Sequence, residues 1–432
     1  MWYRYSANVY KNSANEIVLV MNVSEAASKA SLIQQITGID INSPGFKNQQ
    51  SKPTPGISSK KAKYFNWAKY ASDPIEKMRQ INSQSNPHLE EAKNIFIENV
   101  SDLNPVEHSE NLKEHWKNYT DKLATESHLP NLNFPSYEEW KMNYPDEEVK
   151  RLFIEHKGPK AADDFDPEKK SRELYNAQKD LDLLNRDFGM ASEEANPFAA
   201  FSDLRKIWSQ KVAEHHKESI PSGSGIDQKV SLISGYPGAG KSTLIEPNRT
   251  SQDPIRSTKY GILVDPDEYQ KDLIGYANGA GSERTMIYSN SIVKPEILKE
   301  ALAKGNDVVI PFVGGSVDAI LNEAINHILK DLKVDVIFVP TDAKTSHKRS
   351  IERAKNGGRL IAPYTTGDPS SAFLDAQKII QNPDYDLPDL FTKKLLTKLG
   401  YTPAQIKKLS YDQKSEIHDR YANLLNFDIA AP

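Results

Sequence analysis

The chain has 432 residues, more than one core usually organises and enough for two or three domains. Its 55 basic and 59 acidic residues are well mixed, with a formal net charge of −4; no domain-scale basic field for nucleic acid stands out, and a mean hydropathy of −0.63 without a long apolar run gives no reason to expect a membrane span. There is no cysteine, which excludes disulfides, thiol catalysis and cysteine-ligated zinc.

The opening MWYRYSANVYKNS lacks the unbroken apolar stretch of a secretory signal, so the expectation is a cytoplasmic protein, or one secreted without a classical signal peptide. WYRYSANVY and EIVLVMNV, around the turn-forming KNSAN, predict two short strands and make residues 1–41 a small β segment. Residues 42–61, NSPGFKNQQSKPTPGISSKK, combine proline and glycine with polar residues and read as a loop or linker. The overlapping SKKAKYFNWAKY at 59–70 mixes lysines with aromatics; it could touch RNA, but a solvated helix face is the better reading.

Residues 62–216 read as a mainly helical domain. HLEEAKNIFIENV, SYEEWKMNYPDEEVKRLFIEH and SRELYNAQKDLDLLNRDF space their apolar residues at three and four, as amphipathic helices do. The histidines of this half, including the pair His215 and His216, show no tight ligand spacing, and no metal is assigned to them. HHKESIPSGSGIDQ then joins proline to Ser-Gly alternation, so 217–228 reads as a linker.

After it strand and helix alternate: KVSLIS, YGILVD, a helical span over 282–304, DVVIPF, a helix over 318–332, VDVIFV, and a helix over 342–356 stopped by Gly-Gly. Near-continuous apolar strands separated by helices predict a parallel sheet covered on both faces over 229–385. Residues 386–432 are expected to be a helical C-terminal extension. The fold class is therefore α/β, a parallel sheet flanked by helices, behind a mainly α-helical N-terminal domain.

KVSLIS delivers the chain into GYPGAGKST, residues 235–243, which fits G-x-x-x-x-G-K-[ST]. The motif needs glycines so that backbone N–H groups can close around an anion, here Gly235, Gly238 and Gly240 with Ala239 between them. Lys241 supplies charge to the outer phosphates and Ser242 a hydroxyl for Mg²⁺, and Thr243 joins them as a nucleotide-binding residue. Pro247 follows so closely that this first helix should be short or bent.

YGILVDPDEYQ ends a buried strand in Asp265, with Asp267 two residues on, at the sheet edge where open α/β folds bind ligands. One carboxylate can serve the Mg²⁺ shell and the other accept a proton from an attacking hydroxyl; a helix cap is the competing role for either. In RSIERAKNGGR, Arg349 and Arg353 lie four apart on one helix face and Arg359 follows the glycines. Three guanidinium groups there can close over a transferring phosphate.

Together, GYPGAGKST, the strand into D-x-D, the Pro-interrupted VKPEILKEALAKGN, the strand DVVIPF and the strand followed by SIER and a further arginine resemble the zeta-toxin family of P-loop kinases over about residues 229–380. The resemblance implies an ATP- and Mg²⁺-dependent phosphotransferase. By position it implies Lys241 and Ser242 as phosphate and metal ligands, Asp265 as the first acid of the metal-bearing motif, Asp267 as catalytic base, and Arg353 and Arg359 as phosphate-stabilising arginines beside the nucleotide-binding Arg349. It further implies a nucleotide-linked small-molecule acceptor, an antitoxin or chaperone partner, and a role as bacterial toxin or secreted effector whose first half could meet a host protein.

Zeta toxins carry Glu-Gly-Thr-x-Arg after the central strand, whereas this chain has PFVGGSV at 311–317. The acceptor accordingly stays open between a UDP-N-acetyl sugar and an NAD-type dinucleotide; effector kinases with a related core that phosphorylate NAD also carry long N-terminal extensions. A nucleotide-driven switch or a host-interaction module is the alternative reading, but TDAKTSH after VDVIFV does not supply the [NT]-K-x-D of a guanine-reading switch.

Overall fold

The computed structural model describes residues 8–11, 17–20, 74–84, 86–126, 129, 131, 133–190, 197–247, 253–356, 358–362, 367–381 and 388–431. The expected linker at 42–61 and the lysine-aromatic cluster at 59–70 lie outside them. The chain divides into two compact units, residues 1–77 and residues 78–432. In the first, β1 (Asn8–Lys11) and β2 (Ile17–Val20) lie within the two stretches read as short strands and pair antiparallel.

Helices α1 (Pro74–Ser83), α2 (Pro87–Val100), α3 (Ser109–Thr125), α4 (Tyr137–Asn143), α5 (Asp146–Lys157), α6 (Pro167–Phe188) and α7 (Pro197–Glu218) follow. Their starts are written locally. Asn86 accepts from the His88 and Leu89 amides at the head of α2, with Pro87 in the first turn, and Ser136 with Glu139 forms a capping box on α4. Gly189, at φ 62°, ends α6 in the left-handed region. Trp140, Val149, Leu152 and Leu174 bury a small core among α4, α5 and α6.

The second half supplies β3 (Lys229–Ser234), α8 (Lys241–Ile245), β4 (Ser257–Thr258), β5 (Gly261–Leu263), α9 (Pro266–Tyr269), α10 (Ser282–Tyr288), a π turn (Ser289–Val293), α11 (Lys294–Ala303), β6 (Val308–Pro311), α12 (Val317–Ile328), β7 (Lys333–Phe338), α13 (Ala343–Lys355), α14 (Pro369–Gln381), α15 (Pro388–Lys398), α16 (Pro403–Lys408), α17 (Tyr411–Ala422) and β8 (Leu425–Ile429). The sheet order is β4-β5-β6-β3-β7-β8; all pairs are parallel except β4 with β5. The expected α/β core flanked by helices is what the chain forms. Residues 386–432, expected to be helical throughout, also hold β8, which extends the sheet beside β7.

The stretch 217–228 is bonded onto the turn after α11: the Gly223 and Gly225 amides donate to the Lys304 and Gly305 carbonyls, and Asn306 donates to the Pro221 carbonyl. The helical half also packs on the sheet half. Leu89, Phe96, Ile97, Val100, Leu112, Tyr119 and Leu123 from α2 and α3 share one buried cluster with Ala277, Ala280, Ile351, Ala354 and Leu360. Among the described residues, no helix is long and apolar enough to cross a membrane.

Candidate active site

Because the sheet is parallel from β5 to β8, its strands all release the chain at the same edge. A cleft of about 1200 Å³ opens there, lined by 237–244 after β3, 265–268 after β5, Pro311 at the end of β6 with 312–313 after it, 339–342 after β7 and Ala430 with Ala431 after β8. Gly238, Ala239, Gly240, Lys241, Ser242, Thr243, Asp265, Asp267, Arg349, Arg353 and Arg359 all line it. Gly235 does not line the cleft, though its carbonyl accepts from Lys241, so the structure brings the remaining sequence-derived candidates to one surface.

The loop of 235–240 is shaped by its glycines, with φ of 150°, 87° and 99° at Gly235, Gly238 and Gly240. A Cβ on Gly238 would lie 2.7 Å from the Ser346 carbonyl oxygen and 2.9 Å from Ser350 Oγ, so α13 presses directly on the loop. Ser346 and Ser350 both donate to the Pro237 carbonyl, the latter at 2.8 Å. Pro247 limits α8 to five residues, as its position implies, and Ser242 and Thr243 are exposed on its first turn.

Lys241 Nζ donates to the Gly235 and Tyr236 carbonyls at 2.6 and 2.8 Å. Burial, reinforced by the neighbouring Arg359 and Arg353 and opposed by Asp265, lowers its ammonium to about 7. Asp265 is buried and caps α9 by accepting from the Asp267 amide at 3.0 Å. Burial pushes its carboxyl up to about 6, against the pull of Arg359 and Lys241. The cap and the cleft-lining carboxylate are thus the same group, one oxygen being committed to the turn.

Asp267 forms an ion pair with Arg359 and accepts from Gln270 Nε2 at 3.1 Å. Burial lowers the Arg359 guanidinium to about 10, with Asp265 opposing, so it stays charged at neutral pH. Arg349 and Arg353 are more exposed. The arginine-bearing helix is not a free flap: Ile351 and Ala354 of α13 and Leu360 sit in the cluster with α2 and α3, and His347 Nε2 bonds the Val100 carbonyl at 2.9 Å.

The opposite wall escaped the sequence reading. Met286, Asn290 and Lys294 face the cleft from α10, the π turn and α11, and Lys271, Tyr276, Phe312 and Val313 join them. Ser289 of the π turn donates to the Pro266 carbonyl, tying this wall to the D-x-D turn. Lys294 falls in VKPEILKEALAKGN and Phe312 and Val313 in PFVGGSV, but neither stretch marked them as cleft lining, and no motif marks Lys271, Tyr276, Met286 or Asn290. Deeper down, His216 and Arg79 grip Asp272 at 2.8 and 2.6 Å. These bonds outweigh burial and hold the Asp272 carboxyl below its usual range, so His216 has a structural partner.

The donor set suits Mg²⁺. Ser242 and the buried Asp265 share the cleft, and a cation there would relieve a carboxylate that burial disfavours. Among the described residues, no group of three His, Cys, Asp or Glu side chains could hold a metal alone.

A family model described as Zeta toxin matches residues 213–382, from the end of α7 through α14. This part of the chain is similar to the Zeta toxin family, and the match supports a P-loop kinase-like core here. No curated protein matches the chain.

Proposed function

We propose that the protein is an ATP- and Mg²⁺-dependent kinase that transfers the γ-phosphate to a hydroxyl of a nucleotide-linked small molecule, a UDP-N-acetyl sugar or an NAD-type dinucleotide. The observation that carries this reading is the meeting, in one cleft, of a glycine-shaped loop with its lysine, two carboxylates at a strand end and three arginines. In the reading, loop amides, Lys241, Thr243 and Arg349 hold the nucleotide. Ser242 and Asp265 would hold Mg²⁺, which would neutralise the outer phosphates.

The acceptor hydroxyl gives its proton to Asp267 as its oxygen bonds to the γ-phosphorus, and the bond from that phosphorus to the β-phosphate oxygen breaks to leave ADP. Arg359, already paired with Asp267, and Arg353 neutralise charge on the moving phosphoryl group. Met286, Asn290 and Lys294 face the acceptor. Residues 229–385 act as the catalytic domain and 62–216 as a helical domain in the same proposal, in which the protein serves as a toxin or secreted effector restrained by an antitoxin or chaperone.

Incubation with γ-labelled ATP and a pooled metabolite extract, followed by mass spectrometry, tests the reading. One metabolite should gain one phosphate as ADP forms. Release of free phosphate with no phosphorylated metabolite would identify a nucleotide-driven switch instead.

A further inference from the structure

The buried stripe of α2 runs Leu89, Lys93, Phe96, Ile97 and Val100, with a lysine where an apolar residue would be expected. Lys93 is only 2% exposed, and burying an ammonium is costly unless its donors are used. Its Nζ donates to the Gly358 carbonyl at 3.2 Å. Two residues on, Ser282 Oγ at the start of α10 donates to the Leu360 carbonyl at 2.7 Å. Arg359 stands between these two anchored carbonyls.

The surroundings leave that backbone little freedom. The Gly358 amide donates to the Arg353 carbonyl at 2.9 Å, and a Cβ on Gly279 would lie 3.0 Å from Arg359 Cα. Leu360, 3% exposed, is locked in the apolar cluster that α2 and α3 share with α13. From the clamped backbone the Arg359 guanidinium reaches Asp267.

We propose that Lys93 is a positioning residue: with Ser282 it clamps the backbone on both sides of Arg359 and so aims the guanidinium at Asp267 and the transferring phosphate. The helical half is then a working part of the active site, held through α2. The inference rests on the kinase reading for its catalytic consequence, whereas the clamp itself can be measured without an acceptor.

Lys93→Met keeps the chain length and suits the apolar stripe while removing donor and charge. In the full chain, hydrogen exchange should show the amides of Gly358 to Leu360 opening about tenfold faster, the scale of one lost hydrogen bond from a charged donor, with α2 amides and Tm unchanged. With γ-labelled ATP, and NAD or UDP-N-acetylglucosamine as acceptor probe, kcat should fall about tenfold or more while the KM for ATP stays within about twofold. In an Arg359→Ala background, Lys93→Met should cost nothing further, because both changes act on one group.

Unchanged exchange at 358–360, or losses that multiply in the double variant, would overturn the clamp. Faster exchange together with wild-type turnover in Arg359→Ala would leave the clamp standing and remove the arginine from the kinase reading. If Lys93→Met does not fold, Ser282→Ala gives the same measurements from the other side of the arginine.

Discussion

Two elements line the cleft, the loop of 235–240 and the segment around Arg359, and they differ in how much of their support is local. The loop carries much of its own support, since its glycines take positive φ, the Ala239 amide bonds the Tyr236 carbonyl and Lys241 reaches a carbonyl six residues back, with Ser346 and Ser350 of α13 adding bonds to the Pro237 carbonyl. Arg359 depends on distant chain, with Ser282 acting from 78 residues away on Leu360 and Lys93 from 265 residues away on Gly358. Local construction makes the loop tolerant of side-chain loss, while distant support exposes the arginine to changes far from the chemistry.

The sharpest break of this contrast is Lys241→Ala. Phosphoryl transfer should drop by more than about 10³-fold, the scale of a lost charge stabiliser in a closed site, while circular dichroism stays native because the glycine conformations and the Ser346 and Ser350 bonds still hold the loop. Arg359→Ala should lower kcat by about 10³-fold with a much smaller change in the KM for ATP, and Lys should restore it only in part. Arg353→Ala should cost less, since Arg353 is the more exposed of the two. An effect confined to KM would make these arginines ground-state nucleotide ligands.

Asp267→Asn should lower transfer by about 10²-fold while calorimetry finds Mg²⁺-dependent ATP binding near wild type. Asp265→Asn should do the reverse, weakening Mg²⁺-dependent nucleotide affinity first. Opposite results would exchange the two roles.

A smaller effect comes from Lys241 itself. With its ammonium lowered to about 7 by burial, it is largely neutral at pH 8, and phosphate binding should draw a proton back onto it. Calorimetry at pH 8 in buffers of different ionisation enthalpy should therefore show net proton uptake with ATP, fading toward pH 6. For stability the sign is also set: from about pH 7 to the ordinary lysine range the unfolded chain holds this proton and the folded chain does not, so this group's contribution rises with pH. Gly238→Ala should have the mildest consequence for chemistry but should cost about 1–3 kcal/mol in stability, read as a lower Tm, because φ 87° and the Ser346 carbonyl leave no place for a methyl group.

What could be read without the structure was written in short stretches. KVSLIS followed by glycines and Lys-Ser-Thr states a strand, an anion-binding loop and a helix within fifteen residues, and Asp265 with Asp267 sits where an apolar strand stops. Alternation of apolar strand and helix likewise specified the layered sheet. In each case neighbouring residues supply both the propensity and the chemistry, so the pattern is visible along the chain. Lys93 was legible only as a lysine on an apolar helix face, and of the Met286–Asn290–Lys294 wall only Lys294 fell within a quoted stretch, VKPEILKEALAKGN, with no site role attached.

The sequence by itself determined the phosphate-binding loop, the α/β core and the candidate acids and arginines, because backbone preference and strand periodicity are local. Only the tertiary structure decided that Asp267 pairs with Arg359, that β8 extends the sheet beside β7, and that α2 and α3 pack against Leu360 next to the arginine. Those outcomes depend on which surfaces bury one another across long stretches of chain, and burial between distant segments leaves no fixed spacing to read.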